Sequence, residues 1–238
     1  VSRGRAPYKP PQSSLSSRVA PMPDYHAQRL TMVESQVRVN DVTDSRVQDA
    51  MAAVPRERFV PTARKATAYA DAPLEVVQGR FLLEPRALAK MLQLAEIKPT
   101  DNVLDVGCAT GYSSAILARM AARVTGLEQD ADLVRVASET LPGVGATNAA
   151  VVQGGLAEGH KANAPYDVIF VNGAIEARPD ALLGQLAEGG RLVAIVKSGA
   201  SGHATVFLKE KGQVGSRAGF DADAQILPGF REKVGFVF

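Results

Sequence analysis

Short apolar runs alternate with amphipathic segments through the middle of the chain, from residue 99 to residue 200. The apolar runs predict strands over 103–107, 123–128, 150–153, 166–172 and 191–197. The segments between them predict helices over 112–121, 131–141 and 179–187. We expect Asp130 to cap the second of these helices and Gly189-Gly190 to end the third. Strands that alternate with helices of this length are typical of an α/β fold with a doubly wound, mainly parallel sheet.

The residues before this core, 24–98, predict a helical N-terminal cover. One helix is indicated by apolar positions at the spacing i, i+3, i+4 and i+7, namely Val47, Ala50, Met51 and Val54. Thr43 or Asp44 is expected to cap this helix, and Pro55 to end it. A second amphipathic helix is predicted over 86–95. Residues 63–85 are expected to be irregular, because proline and glycine interrupt them.

The two ends of the chain differ from the core. Residues 1–23 are rich in Ser, Pro and basic residues, and they predict a disordered basic tail. Residues 201–238 predict a β-rich C-terminal edge, with a hairpin of about 204–209 and 213–219. We therefore expect a single domain over 24–238, in which the cover precedes a core of residues 99–200.

Charge and composition restrict the kinds of partner. The net charge is +2, yet the first 21 residues hold four basic residues and no acidic one, which leaves 23 basic against all 25 acidic residues in the remainder. This distribution does not indicate a nucleic-acid surface on the folded part. Cys108 is the one cysteine, which favours a reducing, cytoplasmic setting. No apolar run reaches the roughly 18 residues of a membrane helix, and the N-terminus has no signal-peptide core.

The strand at 103–107 leads directly into a turn of small residues, Gly107 to Gly111. Glycines at both ends of the turn permit a close approach of the backbone to a ligand. Glu128 ends the next strand, 17 residues after Gly111. That offset is near the roughly 20 residues at which an acidic side chain accepts hydrogen bonds from a ribose. Both features lie at carboxyl ends of strands, where open α/β sheets bind ligands.

The chemistry of the loop discriminates between nucleotide-like ligands. A dinucleotide fingerprint needs glycine where this chain has Ala109 and Tyr112, and no Gly-Lys-Ser/Thr occurs. Asp105 at the strand end can stabilise an ammonium group, and the loop amides can bind a carboxylate. S-adenosyl-L-methionine carries both groups and a ribose. The alternatives are that Asp105 is a structural strand-end cap and that Glu128 is a solvated strand end.

Other reactive side chains form no pattern. Cys108 is interpreted as a small core residue, since no histidine is placed in sequence to activate it. His26, His160 and His203 are scattered, so no metal site is predicted.

At this point the chain resembles a known family. Val103–Leu117 resembles the first motif of class I S-adenosyl-L-methionine-dependent methyltransferases, which are Rossmann-like. Similarity to the N-terminal region of protein-L-isoaspartate O-methyltransferases lies in three segments, Met32–Arg38, Asp49–Pro61 and Tyr69–Leu74. Tyr166–Val171 and Leu182–Leu192 resemble later motifs. The resemblance implies S-adenosyl-L-methionine as cofactor, a protein or peptide carboxylate as partner, and methyl transfer to the α-carboxyl of isoaspartyl residues in damaged proteins.

The resemblance also implies which residues bind the cofactor. Those expected to contact its methionine end are Asp105, Gly107, Ala109 and Gly111. Glu128 is expected to hold the ribose, and Gly154, Gly155 and Leu156 to lie beside the adenine. Three further cofactor-binding residues are expected at Tyr112, Gln129 and Asn172.

Two segments depart from the family pattern. The family's Gly-Gln-Thr-Ile-Ser-Gln-Pro is replaced by Gly79–Pro85, so that both hydroxyl positions are apolar, at Phe81 and Leu83. The family's active-site serine falls on Leu83, whose side chain has lost that chemistry. Arg80 is the nearest donor that can compensate by contacting the acceptor, and the alternative is that it is a surface residue. The family's Gly-Asp-Gly is Gly154–Leu156 here, so the acid near the adenine is missing.

The lost hydroxyls affect acceptor positioning rather than proton transfer. A sulfonium is already a good leaving group and a carboxylate is already a nucleophile, so the protein supplies alignment and desolvation instead of a base. Three hypotheses remain open: an isoaspartyl methyltransferase, a methyltransferase for a more apolar acceptor, and a non-catalytic binding or scaffold protein that keeps the fold. A nicotinamide oxidoreductase ranks last because its fingerprint fails.

Overall fold

The computed structural model describes residues 23–232. The disordered tail predicted for residues 1–23 lies outside this range, apart from Pro23. The described chain begins with helix α1, Tyr25–Met32, which continues as a π-helical turn, Val33–Val37, and a 3₁₀ turn, Arg38–Asn40. Helix α2, Ser45–Ala53, follows, and Asp44 caps it by accepting a hydrogen bond from the Arg46 amide. The predicted helix and one of its two expected caps are thus confirmed.

A β-hairpin lies within residues 63–85, for which the sequence predicts irregular structure. Its strands are β1, Leu74–Val77, and β2, Arg80–Leu82, which pair antiparallel. Gly79 makes the turn with a φ of +75°. Strands of four and three residues are too short to produce a visible alternation of apolar and polar positions, which explains the error. Helix α3, Pro85–Leu94, then leads to the core, close to its predicted range.

The core follows the predicted alternation. Its strands are β3, Asn102–Val106, β4, Arg123–Glu128, β5, Ala149–Gln153, β6, Tyr166–Ile175, and β7, Leu186–Ser198. The helices between them are α4, Tyr112–Ala118, α5, Ala131–Thr140, and α6, Asp180–Leu183. Asp130 caps α5 through hydrogen bonds from the amides of Asp132 and Leu133, as predicted.

The predicted range of the third core helix, 179–187, was wrong. The helix spans Asp180–Leu183 only, and Leu186 already lies in β7, paired with Tyr166 of β6. The spacing of the apolar residues Leu182, Leu183 and Leu186 is also compatible with a helix. Leu186 pairs with β6, however, and therefore lies in a strand. Gly189-Gly190 therefore lies inside a strand and does not end a helix.

Two further strands, β8, Ser201–Glu210, and β9, Gln213–Asp221, form an antiparallel hairpin. Within residues 23–232, seven strands form one sheet in the order β5-β4-β3-β6-β7-β8-β9, in which the first five are parallel and the hairpin lies at the edge. The predicted doubly wound, mainly parallel fold is confirmed, and so is the C-terminal hairpin. Buried apolar residues pack on both faces of the sheet. Among the described residues, no helix is both long and apolar enough to cross a membrane.

Within the described part of the C-terminal edge, the last strand ends at Asp221, and residues 233–238 of the predicted β-rich edge lie outside the described residues. Residues 222–232, called here the C-terminal segment, return across the carboxyl end of β6. The Ala174 amide donates to the Gln225 carbonyl at 2.9 Å, and the Leu227 amide donates to the Ala174 carbonyl at 2.9 Å. This segment brings residues far along the chain to the edge of the sheet where the glycine loop lies.

Candidate active site

The glycine loop, residues 107–111, links β3 to α4 at the carboxyl edge of the sheet. Gly107 has a φ of +74° and its amide donates to the Leu127 carbonyl at 2.8 Å. Gly111 has a φ of +94°, and a Cβ there would lie 3.1 Å from the Cβ of Ala137. Gly111 therefore allows α4 to start close to α5, whereas Gly107 lies against the other side of the site.

Asp105 lies beneath the loop and is fully buried. Its Oδ2 accepts hydrogen bonds from Ser113 Oγ at 2.7 Å and Ser114 Oγ at 2.5 Å, and its Oδ1 accepts one from Asn172 Nδ2. Burial raises the pKa of Asp105 to about 6, and these three hydrogen bonds oppose the shift. Asp105 thus connects β3, α4 and β6, in agreement with the structural alternative. Its contact with the cofactor stays a prediction.

Glu128 ends β4 beside the loop, and its carboxylate is also fully buried. Oε2 accepts hydrogen bonds from the Ala109 amide at 2.9 Å and from Arg80 Nη2 at 2.5 Å. Oε1 accepts from the amides of Gln129, at 2.9 Å, and Asp130, at 3.3 Å. The alternative of a solvated strand end is therefore wrong for Glu128.

Arg80 reaches this carboxylate from β2, so its side chain crosses from the hairpin into the predicted cofactor site. The side chain is 8% exposed, and Nη1 is buried without a hydrogen-bond partner among the described residues. The guanidinium thus pairs with Glu128, and no acceptor contact follows from the position of the side chain. The sequence carries no signal for this pair, because its members are 48 residues apart in separate elements.

Leu227 of the C-terminal segment fills the other part of the site. A Cβ on Gly107 would lie 2.9 Å from Leu227 Cδ1, and one on Gly173 would lie 2.6 Å from Leu227 Cγ. The space that remains is a cavity of about 10 Å³, called here the Gly107 cavity. Its walls consist of Phe81, Leu82, Leu83, Leu88, Gly107, Cys108, Ala109, Tyr112, Ser113 and Asn172. Sequence reasoning missed Leu227, since no motif marks the chain after residue 200.

The residues expected beside the adenine lie next to Glu128. The Gly154 amide donates to the backbone carbonyl of Glu128 at 3.0 Å, and Leu156 is buried. Gly155 is exposed, and so is Gln129, whose carbonyl accepts from Gln153 Nε2 at 3.2 Å. The structure therefore brings the predicted ribose and adenine residues together at the ends of β4 and β5.

A larger cleft of about 380 Å³, called here the Phe81 cleft, opens between the hairpin and the C-terminal segment. Its walls consist of Pro73, Phe81, Leu83, Glu84, Arg86, Lys197, Asp223, Ala224 and Gln225. Phe81 and Leu83 line both this cleft and the Gly107 cavity. Lys197 Nζ lies 2.6 Å from Asp223 Oδ1, and this contact holds the pKa of Asp223 below its usual value. The cleft thus combines an aromatic and aliphatic wall with two cations and two carboxylates.

Arg56 links the glycine loop to Leu83. Its guanidinium is fully buried and donates to the carbonyls of Ala68, at 2.8 Å, and Leu83, at 2.9 Å. It also lies over the ring of Tyr112, 4.7 Å from the centroid, at the start of α4. Tyr112 itself is buried and lines the Gly107 cavity. Arg56 was not among the predicted site residues, although it lies inside a segment that carries the family resemblance.

Cys108 also lies in the buried part of the glycine loop. The thiol is fully buried, and burial raises its pKa, so it is a packing residue rather than a nucleophile. Among residues 23–232, no group of three or more His, Cys, Asp or Glu side chains is arranged to hold a metal ion.

Comparison with known proteins identifies the family. The sequence model of protein-L-isoaspartate(D-aspartate) O-methyltransferases matches residues 27–220. A protein-L-isoaspartate O-methyltransferase of Koribacter versatilis is 44% identical over 170 residues, which cover 71% of this chain and 77% of the relative. One of Methanoculleus marisnigri is 38% identical over 187 residues, which cover 79% and 85%.

Solved structures show the same fold. A protein-L-isoaspartate O-methyltransferase has a TM-score of 0.74 at 22% identity, over 86% of this chain and 66% of its own, so this chain spans just under two thirds of its length. A Plasmodium falciparum protein, described as a putative protein-L-isoaspartate O-methyltransferase in complex with S-adenosyl-L-homocysteine, has a TM-score of 0.73 at 22% identity, over 84% and 97%. The chain belongs to the protein-L-isoaspartate(D-aspartate) O-methyltransferase family and is a class I, S-adenosyl-L-methionine-dependent methyltransferase.

Proposed function

We propose that this protein transfers a methyl group from S-adenosyl-L-methionine to the α-carboxyl of isoaspartyl residues in damaged proteins and peptides. The observation that carries the proposal is the shared wall of the two spaces described above. Phe81 and Leu83 line both the Gly107 cavity, beside the glycine loop, and the Phe81 cleft. A donor bound at the loop and a carboxylate bound in the cleft would meet at this wall.

The residues at the loop fit the cofactor chemically. Glu128 places a buried carboxylate where the ribose hydroxyls are expected, although Arg80 is paired with it in this structure. Gly107 has no side chain of its own at the loop, and a ligand would reach its backbone by displacing Leu227. Gly154 and Leu156 adjoin Glu128 on the adenine side. When bound, the cofactor supplies a methyl group that is activated by the attached sulfonium.

The Phe81 cleft supplies the acceptor side of the reaction. Lys197 and Arg86 are paired with Asp223 and Glu84, so an acceptor carboxylate would compete with these two partners for the cations. Phe81 and Leu83 form an apolar wall that limits hydration of the acceptor. A carboxylate that loses its hydration is a stronger nucleophile, provided that it is held in line with the methyl group. The protein needs no general base, because the acceptor oxygen is already ionised at neutral pH.

The experiment is methyl transfer to a peptide that contains one isoaspartyl residue, with the same peptide containing ordinary aspartate as the control. We expect base-labile methyl ester on the isoaspartyl peptide only. Tight binding of S-adenosyl-L-methionine without transfer to this peptide would contradict the proposed acceptor. Absence of cofactor binding at millimolar concentration would instead favour a scaffold protein.

A methyltransferase for a more apolar carboxylic acid is the second candidate, and the observation that favours it is the apolar wall. Phe81 and Leu83 stand where the family has hydroxyl donors, so a hydrophobic acceptor gains contacts that an isoaspartyl residue lacks. A panel of aliphatic and aromatic carboxylic acids, tested beside the isoaspartyl peptide, distinguishes the two. We also propose a cytoplasmic location, which the buried, unpaired Cys108 supports.

A further inference from the structure

The carboxylate of Glu128 is saturated by protein donors. A carboxylate offers about four lone-pair sites. Here the amides of Ala109, Gln129 and Asp130 take three of them and Arg80 Nη2 takes the fourth. The three amides belong to the backbone of the loop and of the β4–α5 connection, whereas Arg80 is a side chain from another element. A ribose that binds Glu128 therefore has to displace Arg80.

A displaced Arg80 guanidinium would need another anion. Both members of the pair are buried, with exposed side-chain fractions of 8% for Arg80 and 0% for Glu128. Removing one partner from a buried ion pair leaves the other charge uncompensated, which is strongly unfavourable. Nη1 of Arg80 already lacks a hydrogen-bond partner among the described residues, so half of the guanidinium fork is free to bind an oxygen.

The backbone position of Arg80 restricts where that anion lies. Arg80 immediately precedes Phe81, whose side chain lines both the Gly107 cavity and the Phe81 cleft. Its Nη2 is 3.4 Å from where a Cβ on Gly107 would lie, so the guanidinium is at the loop itself. An arginine that leaves Glu128 but stays attached to β2 therefore remains beside the wall at which donor and acceptor meet.

We propose that Arg80 exchanges carboxylates: it pairs with Glu128 before the cofactor binds, and with the acceptor carboxylate once the ribose occupies Glu128. This inference rests on the proposed function, because it takes the acceptor to be a carboxylate. It makes Arg80 a specificity-determining residue that replaces the hydroxyl donors lost at Phe81 and Leu83. It also makes binding ordered, since the cofactor frees the group that the acceptor needs.

The first test measures cofactor-site affinity without turnover. Calorimetry with S-adenosyl-L-homocysteine is performed on the wild type, on Arg80→Gln, and on the control Arg135→Gln, which removes an exposed arginine from surface ion pairs. We expect Arg80→Gln to bind about tenfold more tightly, because the internal competitor is gone, and the control to match the wild type. Equal affinities of Arg80→Gln and the wild type would overturn the exchange.

The second test measures acceptor binding with and without S-adenosyl-L-homocysteine. The probes are an isoaspartyl peptide and its α-carboxyl methyl ester, which has no charge at that position. In the wild type we expect S-adenosyl-L-homocysteine to tighten binding of the isoaspartyl peptide about tenfold and to leave binding of its methyl ester unchanged. Arg80→Gln should lose this gain, and Arg80→Lys, which keeps the charge without the fork, should restore part of it. The second variant also serves if Arg80→Gln fails to fold.

The outcomes separate this inference from the proposed function. If the protein methylates the isoaspartyl peptide but S-adenosyl-L-homocysteine does not change the affinity for this peptide, the proposed function is supported and the carboxylate exchange is refuted. Another outcome is that Arg80→Gln binds S-adenosyl-L-homocysteine more tightly, while the wild type neither methylates nor binds the isoaspartyl peptide. This result would refute both the isoaspartyl acceptor and the pairing of Arg80 with the acceptor carboxylate.

Discussion

Arg56 Nη2 donates a hydrogen bond of 2.9 Å to the backbone carbonyl of Leu83, the position at which the family resemblance predicts an active-site serine. The same guanidinium lies over the ring of Tyr112 at the start of α4. A single buried cation thus links Leu83, in the apolar wall formed by Phe81 and Leu83 and called here the acceptor wall, to the helix that follows the glycine loop.

We predict that Arg56→Met destabilises the fold by about 2–4 kcal/mol, because the carbonyls of Ala68 and Leu83 lose their buried donor. Urea unfolding measures the change. Arg58→Met is the matched control, because Arg58 is exposed and donates to a single carbonyl, that of Gly143. A loss below 1 kcal/mol for Arg56→Met, or an equal loss in both variants, would contradict this account of Arg56.

Restoring the hydroxyls at the acceptor wall should raise isoaspartyl methylation. We predict that Leu83→Ser, combined with Phe81→Thr, increases kcat/KM for the isoaspartyl peptide about fivefold, the effect of roughly 1 kcal/mol from one hydrogen bond. Because Leu83 is buried, the variant should also lose about 2–4 kcal/mol of stability, so activity is measured below its unfolding range. Val77→Thr, at an exposed position of the hairpin, is the control. An unchanged rate would mean that the acceptor site differs from the family's beyond these two residues.

The buried carboxyl of Asp105 should make stability depend on pH. Its pKa is raised from 3.8 to about 6 by burial, so the folded state binds this proton more tightly than the unfolded state does. The stabilisation is complete below about pH 4 and is lost as pH rises through about 6, a change of about 3 kcal/mol. We predict that Asp105→Asn removes this dependence. Urea unfolding of both proteins from pH 4 to pH 7 measures it, and parallel stability curves would refute the prediction.

Leu227 should limit access to the cofactor site. Its side chain lies against Gly107 and Gly173, in the space next to the glycine loop. We predict that Leu227→Ala binds S-adenosyl-L-homocysteine more tightly while losing about 2–4 kcal/mol of stability, since a buried leucine is truncated. Calorimetry and thermal unfolding measure the two effects. Leu208→Ala, at a partly exposed position of β8, should change neither affinity nor stability to this extent. Weaker binding by Leu227→Ala would show that Leu227 contributes to the site instead of blocking it.

The sequence determined the elements whose apolar pattern is local. The spacing of buried positions located α2, and runs of consecutive apolar residues located the strands of the parallel sheet. Glu128 could be associated with the glycine loop because adjacent parallel strands bring their carboxyl ends to one edge of the sheet. Where the pattern was ambiguous, as at Leu186, pairing with a neighbouring strand decided between helix and strand.

Only the tertiary structure decided what occupies the site. Arg80 meets Glu128, and Leu227 meets Gly107, through packing between elements that are distant in the chain. Neither contact produces a periodic pattern in the sequence, because both depend on where a short hairpin and an irregular segment cross the sheet. The sequence by itself therefore determined the fold and the family, and it predicts that Phe81 and Leu83 replace hydroxyl-bearing residues of that family. The partner of the buried Glu128 charge followed from the three-dimensional arrangement, since a buried carboxylate is stabilised by whichever donors the fold brings within reach.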